Sequence, residues 1–459
     1  LANLTTDYVT IFESAIITGN MTMTQSATNK ASVTLTIEHA VANVIGGNLT
    51  MTNIDKTVNH GILLDINLGT LTVSGATSLV ADHGGNGADV NLAVDLAATF
   101  TGGVTLNDSL DGLSTFHANE DNDVDITGTF NGAVAGEGTI ISAGTNKDFK
   151  SAIGATAKLL EVQVDGAGAV FDSTVAATTV DVNAGTTFTG AVTATTTTIN
   201  GATAFSAAVT SATLTINQAV TTASTVDVTT LTLGGTADAL TASGNITGAI
   251  VVTDAASSLI LAGADMTVTG DINAAGGTDA GVIDVTGAKV TFAGNIGAAT
   301  GTNVDTLTIA ANKRAVITET ANFVDQFDMA ALGEIEISKT VVGGTIFTMT
   351  GTTFVAADIA ATSKIYMPVN LIGGENIIFA SGHTNVAGTA TAIDSALIDT
   401  ALTDYSAAQA SGVTTVTATT KATSTIAEEL SVSKNAAAAM VQALASVVND
   451  TVVDGTAED

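Results

Sequence analysis

Residues 266–313 contain one stretch of sequence laid over itself. MTVTGDINAAGGTDAGVIDVTGAK (266–289) aligns without a gap over VTFAGNIGAATGTNVDTLTIAANK (290–313). Thr267/Thr291, Gly270/Gly294, Ile272/Ile296 and Lys289/Lys313 are identical, and Val268/Phe292, Asp271/Asn295, Ile283/Leu307 and Val285/Ile309 are alike in kind. A repeat of this length, made of short alternating strands split by Gly, Asn and Asp, suits one coil of a β-solenoid, in which each coil buries its apolar face only against the next. The remainder of the chain reads as weaker copies of this unit. Gly-Asn/Asp-Ile recurs at 244–246, 270–272 and 294–296, where Gly permits a tight corner that other residues resist.

The apolar content suits thin layers better than a globular core. Hydrophobic residues are 46% of 459, yet aromatics are only 4%, and there is no Trp and a single Pro. Ala, Val, Ile and Leu stack in regular sheets, whereas a compact enzyme spends more aromatic area on closing its interior. Twelve basic residues face 44 acidic ones, a net charge of −32 that repels nucleic acid and anionic membrane. With no cysteine, disulfides, thiol catalysis and Cys-based metal sites are excluded. No apolar run reaches the roughly 18–20 residues of a membrane-spanning helix. The chain opens on Leu1 with no signal-peptide pattern, as a mature or excised protein would.

Taken in order, residues 1–150 form a β-rich region with acidic loops. YVTIF, NMTMTQ, SVTLTIEHAV, GNLTMTNI and GTLTVSG alternate apolar residues with Thr, and Gly19-Asn20 and Gly47-Asn48 precede strands at corresponding places. DSLDGLSTFHANEDND (108–123) reads as a loop leaving the coil. Residues 151–313 form the regular solenoid, and 314–391 a β-rich region with larger side chains. From 392 the period turns helical. Ile393, Leu397, Ala401 and Tyr405 share one face, and 426–449 reads as one amphipathic helix with Thr425 and Glu428 as its capping box. The expected fold is therefore all-β, a right-handed parallel β-solenoid (β-helix) with α-helical C-terminal elements at 392–459 that cap it or dock a neighbour.

Chemistry is sparse. His39, His60, His83, His117 and His383 have no metalloprotease, zinc-finger or hydrolase spacing and read as surface or loop residues. With 12 basic residues and few aromatics, a carbohydrate-active β-helix enzyme is a poor fit, and the chain is not expected to be an enzyme. Calcium is the most defensible ligand, because it takes carboxylate and carbonyl oxygens. Two loops offer them: Asp82, Asn86 and Asp89 in ADHGGNGAD, and Glu120, Asp121, Asp123 and Asp125 in NEDNDVD. Each also reads as a plain solvated loop. Thr-x-Thr triplets, whose ordered ladders bind ice on some solenoids, are unevenly spaced here and need not share a face.

VTFAGNIGAAT, set among Thr/Ala/Gly-rich strands, and the segment IAEELSVSKNAAAAMVQALASVVND resemble the passenger regions of bacterial autotransporter-type surface antigens, including rickettsial outer-membrane surface-layer proteins. The composition is also similar to that of bacterial S-layer proteins. The resemblance implies an extracellular, secreted structural protein on the bacterial cell surface. Open solenoid ends invite pairing, so the chain is expected to assemble with itself into a layer or filament. The alternative is an adhesin or phage fibre module, with 314–390 presenting a site for a surface glycan. Nucleic acid is not an expected partner.

Overall fold

The computed structural model describes residues 3–4, 8–11, 16–25, 32–38, 40–54, 61–83, 89–110, 112–119, 123–235, 238–275, 280–297, 303–320, 322–339, 343–349 and 353–453. They form a parallel β-solenoid, as the repeat predicts. The backbone falls into two compact units, 1–231 and 232–459.

In the first unit each full coil lays down three strands, and each strand pairs in parallel with its equivalent one coil on. The first face runs through Met21–Gln25, Leu49–Asn53, Thr77–His83, Val104–Leu110 and Phe130–Gly132. Successive registers shorten along it. Met21 pairs with Leu49 and Leu49 with Thr77 by equal steps, whereas the step from Val104 to Phe130 is shorter. By Val175↔Val192 and Val192↔Val209 the coil is shorter still, and the corner asparagines Asn183, Asn200 and Asn217 recur with the same spacing of 17. It shortens by merging its first two faces into one eight-residue strand, as in Val175–Val182, Val192–Ile199 and Val209–Ile216. The coil length expected from 266–313 is thus not the only one in the chain.

In-register stacking makes like side chains fall on like. On the third face Phe149, Phe171, Phe188 and Phe205 are buried, with successive ring centroids 4.8, 4.9 and 5.1 Å apart and planes within 12° of parallel. Such pairs are worth about 0.5–1.5 kcal/mol each beyond their burial. The strand spacing of roughly 4.8 Å imposes that geometry. Nearer the N-terminus, where coils are wider, Phe100, Phe116 and Phe130 instead meet edge-on or tilted. At one corner Asn217 donates to Asn200, Asn200 to Asn183, and Asn183 to Asp165, at 2.7, 2.9 and 2.9 Å. This side-chain ladder follows the backbone where the chain turns.

In the second unit the self-alignment of 266–313 is the structural register. Met266 pairs with Val290, Thr267 with Thr291, Ile283 with Leu307 and Val285 with Ile309. Residues 276–279 and 298–302 lie outside the described residues. Gly270 and Gly294 stand one above the other, but neither has a positive φ. A Cβ on Gly294 would strike the carbonyl of Gly270, and one on Gly270 the carbonyl of Gly248. The glycine is demanded by close backbone approach. It follows that the Gly-Asn-Ile at 244–246 is not the equivalent corner: Ile246 pairs with Val268, and Ile250 takes the place opposite Ile272.

Several expectations are corrected. The described residues of 108–123 do not leave the coil. Ser114–Ala118 is a strand between Val90–Val94 and Thr139–Ser142, and Phe116 is fully buried. Asp108 holds the return, accepting from the Ser114 amide at 2.6 Å, the Ser114 hydroxyl at 2.5 Å and the Gly138 amide at 2.7 Å. The helix expected over 393–412 is also wrong. Only Thr389–Ala396 (α1) is helical, Leu397–Ile398 returns to the sheet, and Thr403–Ala410 forms an antiparallel hairpin with Val413–Thr420. Ser411 and Gly412 at its tip have φ of 53° and 75°, the paired positive values of a two-residue hairpin turn. The expected helix over 426–449 is broken at Ser431 (φ 53°) into Thr423–Glu429 (α2) and Lys434–Val453 (α3). Thr425 is not a cap: α2 starts after Ala422 without a side-chain cap. Ser433 accepts from the Ala436 amide at the start of α3.

The hairpin pairs through Val413–Thr420 with Asn376–Ser381, leaving Thr403–Ala410 as the outer strand. Three of its outward amides are taken. Thr403 N–H donates to Thr400 Oγ1 at 3.0 Å, and Tyr405 N–H and Ala407 N–H donate to Asp399 Oδ1 and Asp394 Oδ1, each at 2.8 Å. Side chains occupy the donors that a further strand would need.

Replacing Phe188 by Ala leaves a gap between two stacked rings. It should cost about 3–5 kcal/mol in denaturant unfolding, with the loss of amide protection by hydrogen exchange centred on 171–205. An Asp394→Ala/Asp399→Ala double variant should show concentration-dependent, thioflavin-positive association that the parent lacks. Identical light scattering from the two proteins would mean that these carboxylates do not guard the edge.

Candidate functional site

The seven predicted calcium ligands do not all fall where a site can be described. Asn86, Glu120 and Asp121 lie outside the described residues. Asp82 is exposed on Thr77–His83, opposite Ser109. Asp89 closes a corner: its carbonyl accepts from the Ile62 amide at 2.8 Å and its carboxylate from the Leu113 amide at 3.3 Å. Asp123 is exposed just before its strand, and Asp125 points outward within it. Asp125 has a lysine for company. Lys150 Nζ lies 3.4 Å from Asp125 and 3.2 Å from Asp172 and is bonded to Asp148, so one ammonium ties carboxylates from three coils. That bonding, led by Asp148, holds the Lys150 ammonium above its usual range. Among the described residues no three or more His, Asp or Glu side chains gather as a metal-holding group.

Another cluster of oxygen-bearing side chains in the first unit lies elsewhere. Glu38, Asp65, Asn67, Asp95 and Asn119 line a groove of about 500 Å³ where the second face ends. Parallel pairing puts them there, since Thr36 pairs with Asp65, Asp65 with Ala93, and the Asn119 amide donates to the carbonyl of Val94. The sequence signal was a carboxylate or amide recurring at strand ends once per coil. Half-burial, and then the charge of Glu38, push the Asp65 carboxyl above its ordinary range. Burial does the same to Glu161, aided by Asp181 and Asp165, and to Asp284. The groove's chemistry is that of hydroxyl or amide recognition by oxygen.

The histidines depart from a purely superficial reading. His383 is 4% exposed, packs edge-on against Phe354 and meets Thr414 Oγ1 through Nε2 at 3.0 Å. His117 is half-buried, and burial lowers its pKa. His39 and His60 lie outside the described residues. Lys147 is wholly buried, and its ammonium donates to the Asp95 carbonyl at 3.3 Å, a costly placement unless such bonds are made. The Thr-x-Thr triplets align more than their spacing suggested. Thr22 and Thr24 pair with Thr50 and Thr52, Thr196 and Thr198 with Thr213 and Thr215, and Thr267 with Thr291.

These shifts set opposite pH trends. A carboxyl raised in the fold keeps its proton better folded than unfolded. Stability is therefore gained as pH falls through the raised value, toward the ordinary 3.8 of Asp65. His117, lowered from 6.5, must charge in a partly buried place, so its contribution is lost as pH falls below that value. In thermal melts from pH 8 to 4, Asp65→Asn should raise the midpoint at neutral pH and flatten the rise that the parent shows as pH falls toward 3.8. His117→Gln should remove a dip that begins near 6.5. Parallel curves for parent and variants would count against both assignments.

No helix among the described residues is long and apolar enough to cross a membrane. No protein-family model matches the chain, and neither the curated proteins nor the solved structures contain a match to it.

Proposed function

We propose that the chain is an extracellular structural protein that associates with copies of itself into a bacterial cell-surface layer or filament, with no catalytic role. The observation that carries this reading is the repetition of small polar residues in rows on the outward faces. Thr22, Thr50, Ser78 and Thr105 form one row and Thr179, Thr196 and Thr213 another, each advancing by one strand spacing. A flat face with a fixed repeat lets a second copy meet it through many similar weak contacts, none of which needs a specialised residue. The side chains that occupy the edge of Thr403–Ala410 disfavour strand addition at that edge, so the reading places self-contact on lateral faces.

The charge balance favours a cation in such contacts. At −32, two copies repel unless counterions or divalent cations lie between them. Calcium is the natural bridge for carboxylates facing each other across a contact, and Asp82, Asp123 and Asp125 are outward enough to share one. Light scattering with size-exclusion chromatography, and electron microscopy of the same fractions, should give large ordered particles in calcium and smaller ones in chelator. A strictly monomeric protein in both conditions would sink the self-assembly reading. Identical assembly in both would remove calcium from it.

A further inference from the structure

This chain is frugal with residues that carry specific recognition, yet several of its rarest ones meet at one place in the second unit. Arg314 is its only arginine, Pro368 its only proline, and Tyr366 and Tyr405 are two of its three tyrosines. Four successive coils bring them together. Arg314 pairs with Glu334 and Glu334 with Lys364, while Glu336 pairs with Tyr366 and Tyr366 with Ile398. Arg314, Glu336, Tyr366, Val369, Asn370 and Asp399 line a groove of about 380 Å³.

The groove is built rather than incidental. The Arg314 guanidinium lies 4.9 Å from the centre of the Tyr366 ring, and its Nη2 is bonded to Glu336. The Tyr366 hydroxyl donates to Glu334 at 3.3 Å, and Lys364 reaches the same carboxylate at 2.9 Å. Below the rim, the buried Tyr405 hydroxyl bonds the carbonyls of Pro368 and Leu371, at 3.3 and 3.4 Å, which fixes the loop that carries Val369. Burial, then the charge of Asp399, push that phenol up to about 12, so it stays protonated and the tether holds at any physiological pH. Val369 itself stands 74% exposed at the lip. Arg314 Nε is buried with no hydrogen-bond partner among the described residues, so part of the fork's donor capacity is unused by the fold.

We propose that this groove binds a neutral saccharide, on the order of one or two sugar rings in a cleft of ordinary ligand size. Charge decides the class. Arg314 and Lys364 are already matched by Glu334 and Glu336, and Asp399 adds a further negative charge on a strongly acidic protein. An anionic sugar, phosphate or acidic peptide would be repelled. Carboxylate oxygens suit vicinal hydroxyls as donors, the guanidinium suits them as acceptors, and Tyr366 with Val369 gives an apolar surface for C–H faces.

The inference goes beyond the scaffold reading and stands without it, because a protein that assembles but binds no sugar would keep the first and lose the second. The full chain should be screened on an array of neutral and acidic glycans, and hits followed by saturation-transfer NMR with the free oligosaccharide at millimolar concentration. Binding to neutral glycans is expected. Val369→Asp, at an exposed position that folding does not need, and Arg314→Gln should each weaken it by about tenfold or more. Melting and assembly of Val369→Asp should match the parent. Binding of no glycan, binding of acidic glycans alone, or neutral-glycan binding untouched by Val369→Asp would each overturn the proposal.

Discussion

The solenoid of this protein answers to one constraint, the in-register hydrogen bonding of parallel strands between successive coils. A strand can satisfy its backbone only by lying over its equivalent, so each residue is placed over a counterpart whose size and polarity it must tolerate. The stacked phenylalanines from Phe149 to Phe205, the Asn183–Asn200–Asn217 ladder and the paired glycines at 270 and 294 are three outcomes of that rule. Inside, identical rings gain by stacking. At a corner, an amide can both donate to the one below and accept from the one above. Where backbones cross closely, nothing larger than hydrogen fits.

The same constraint decides what was legible in the sequence. The alignment of 266–289 on 290–313 proved to be the strand register because its apolar columns, such as Ile283 over Leu307, are contiguous and its coils equal in length. The shorter period was equally written, in Phe188 and Phe205 and in Val192 and Val209, but Thr and Ala so dominate 175–222 that the few marker residues are diluted. At the C-terminus the spacing of Ile393, Leu397, Ala401 and Tyr405 mimics a helix. The stronger local fact was the Ser411-Gly412 turn followed by the alternating VTTVTATT, which specifies a hairpin. Gly-Asn-Ile at 244–246 misled for a related reason: a three-residue motif is short enough to recur without occupying the same corner.

Sites were harder to read than the fold, for a geometric reason. The positions that line a groove on a solenoid are one coil apart, and coil length is not constant. Glu334 follows Arg314 by a shorter step than Lys364 follows Glu334, and Leu397 follows Ile365 by a longer one still. No fixed spacing could have joined them. The acidic runs that attracted attention in 82–89 and 120–125 are local in sequence, yet among the described residues no three of their carboxylates gather, and Asp89 closes a corner while Asp125 is tied to Lys150. The single arginine and single proline that meet at the groove of the second unit are countable in the sequence, but nothing in their spacing joins them.

The short coils bear on how such a protein changes over generations. Val175, Val192 and Val209 occupy the same place in three successive turns, and so do Asn183, Asn200 and Asn217. Loss or duplication of one whole turn joins surfaces that already match, so neither neighbour is asked to accept a foreign face. Change by single residues within a turn has no such licence. A gene of this kind can therefore adjust the number of its turns in steps of one turn, while its cross-section stays the same.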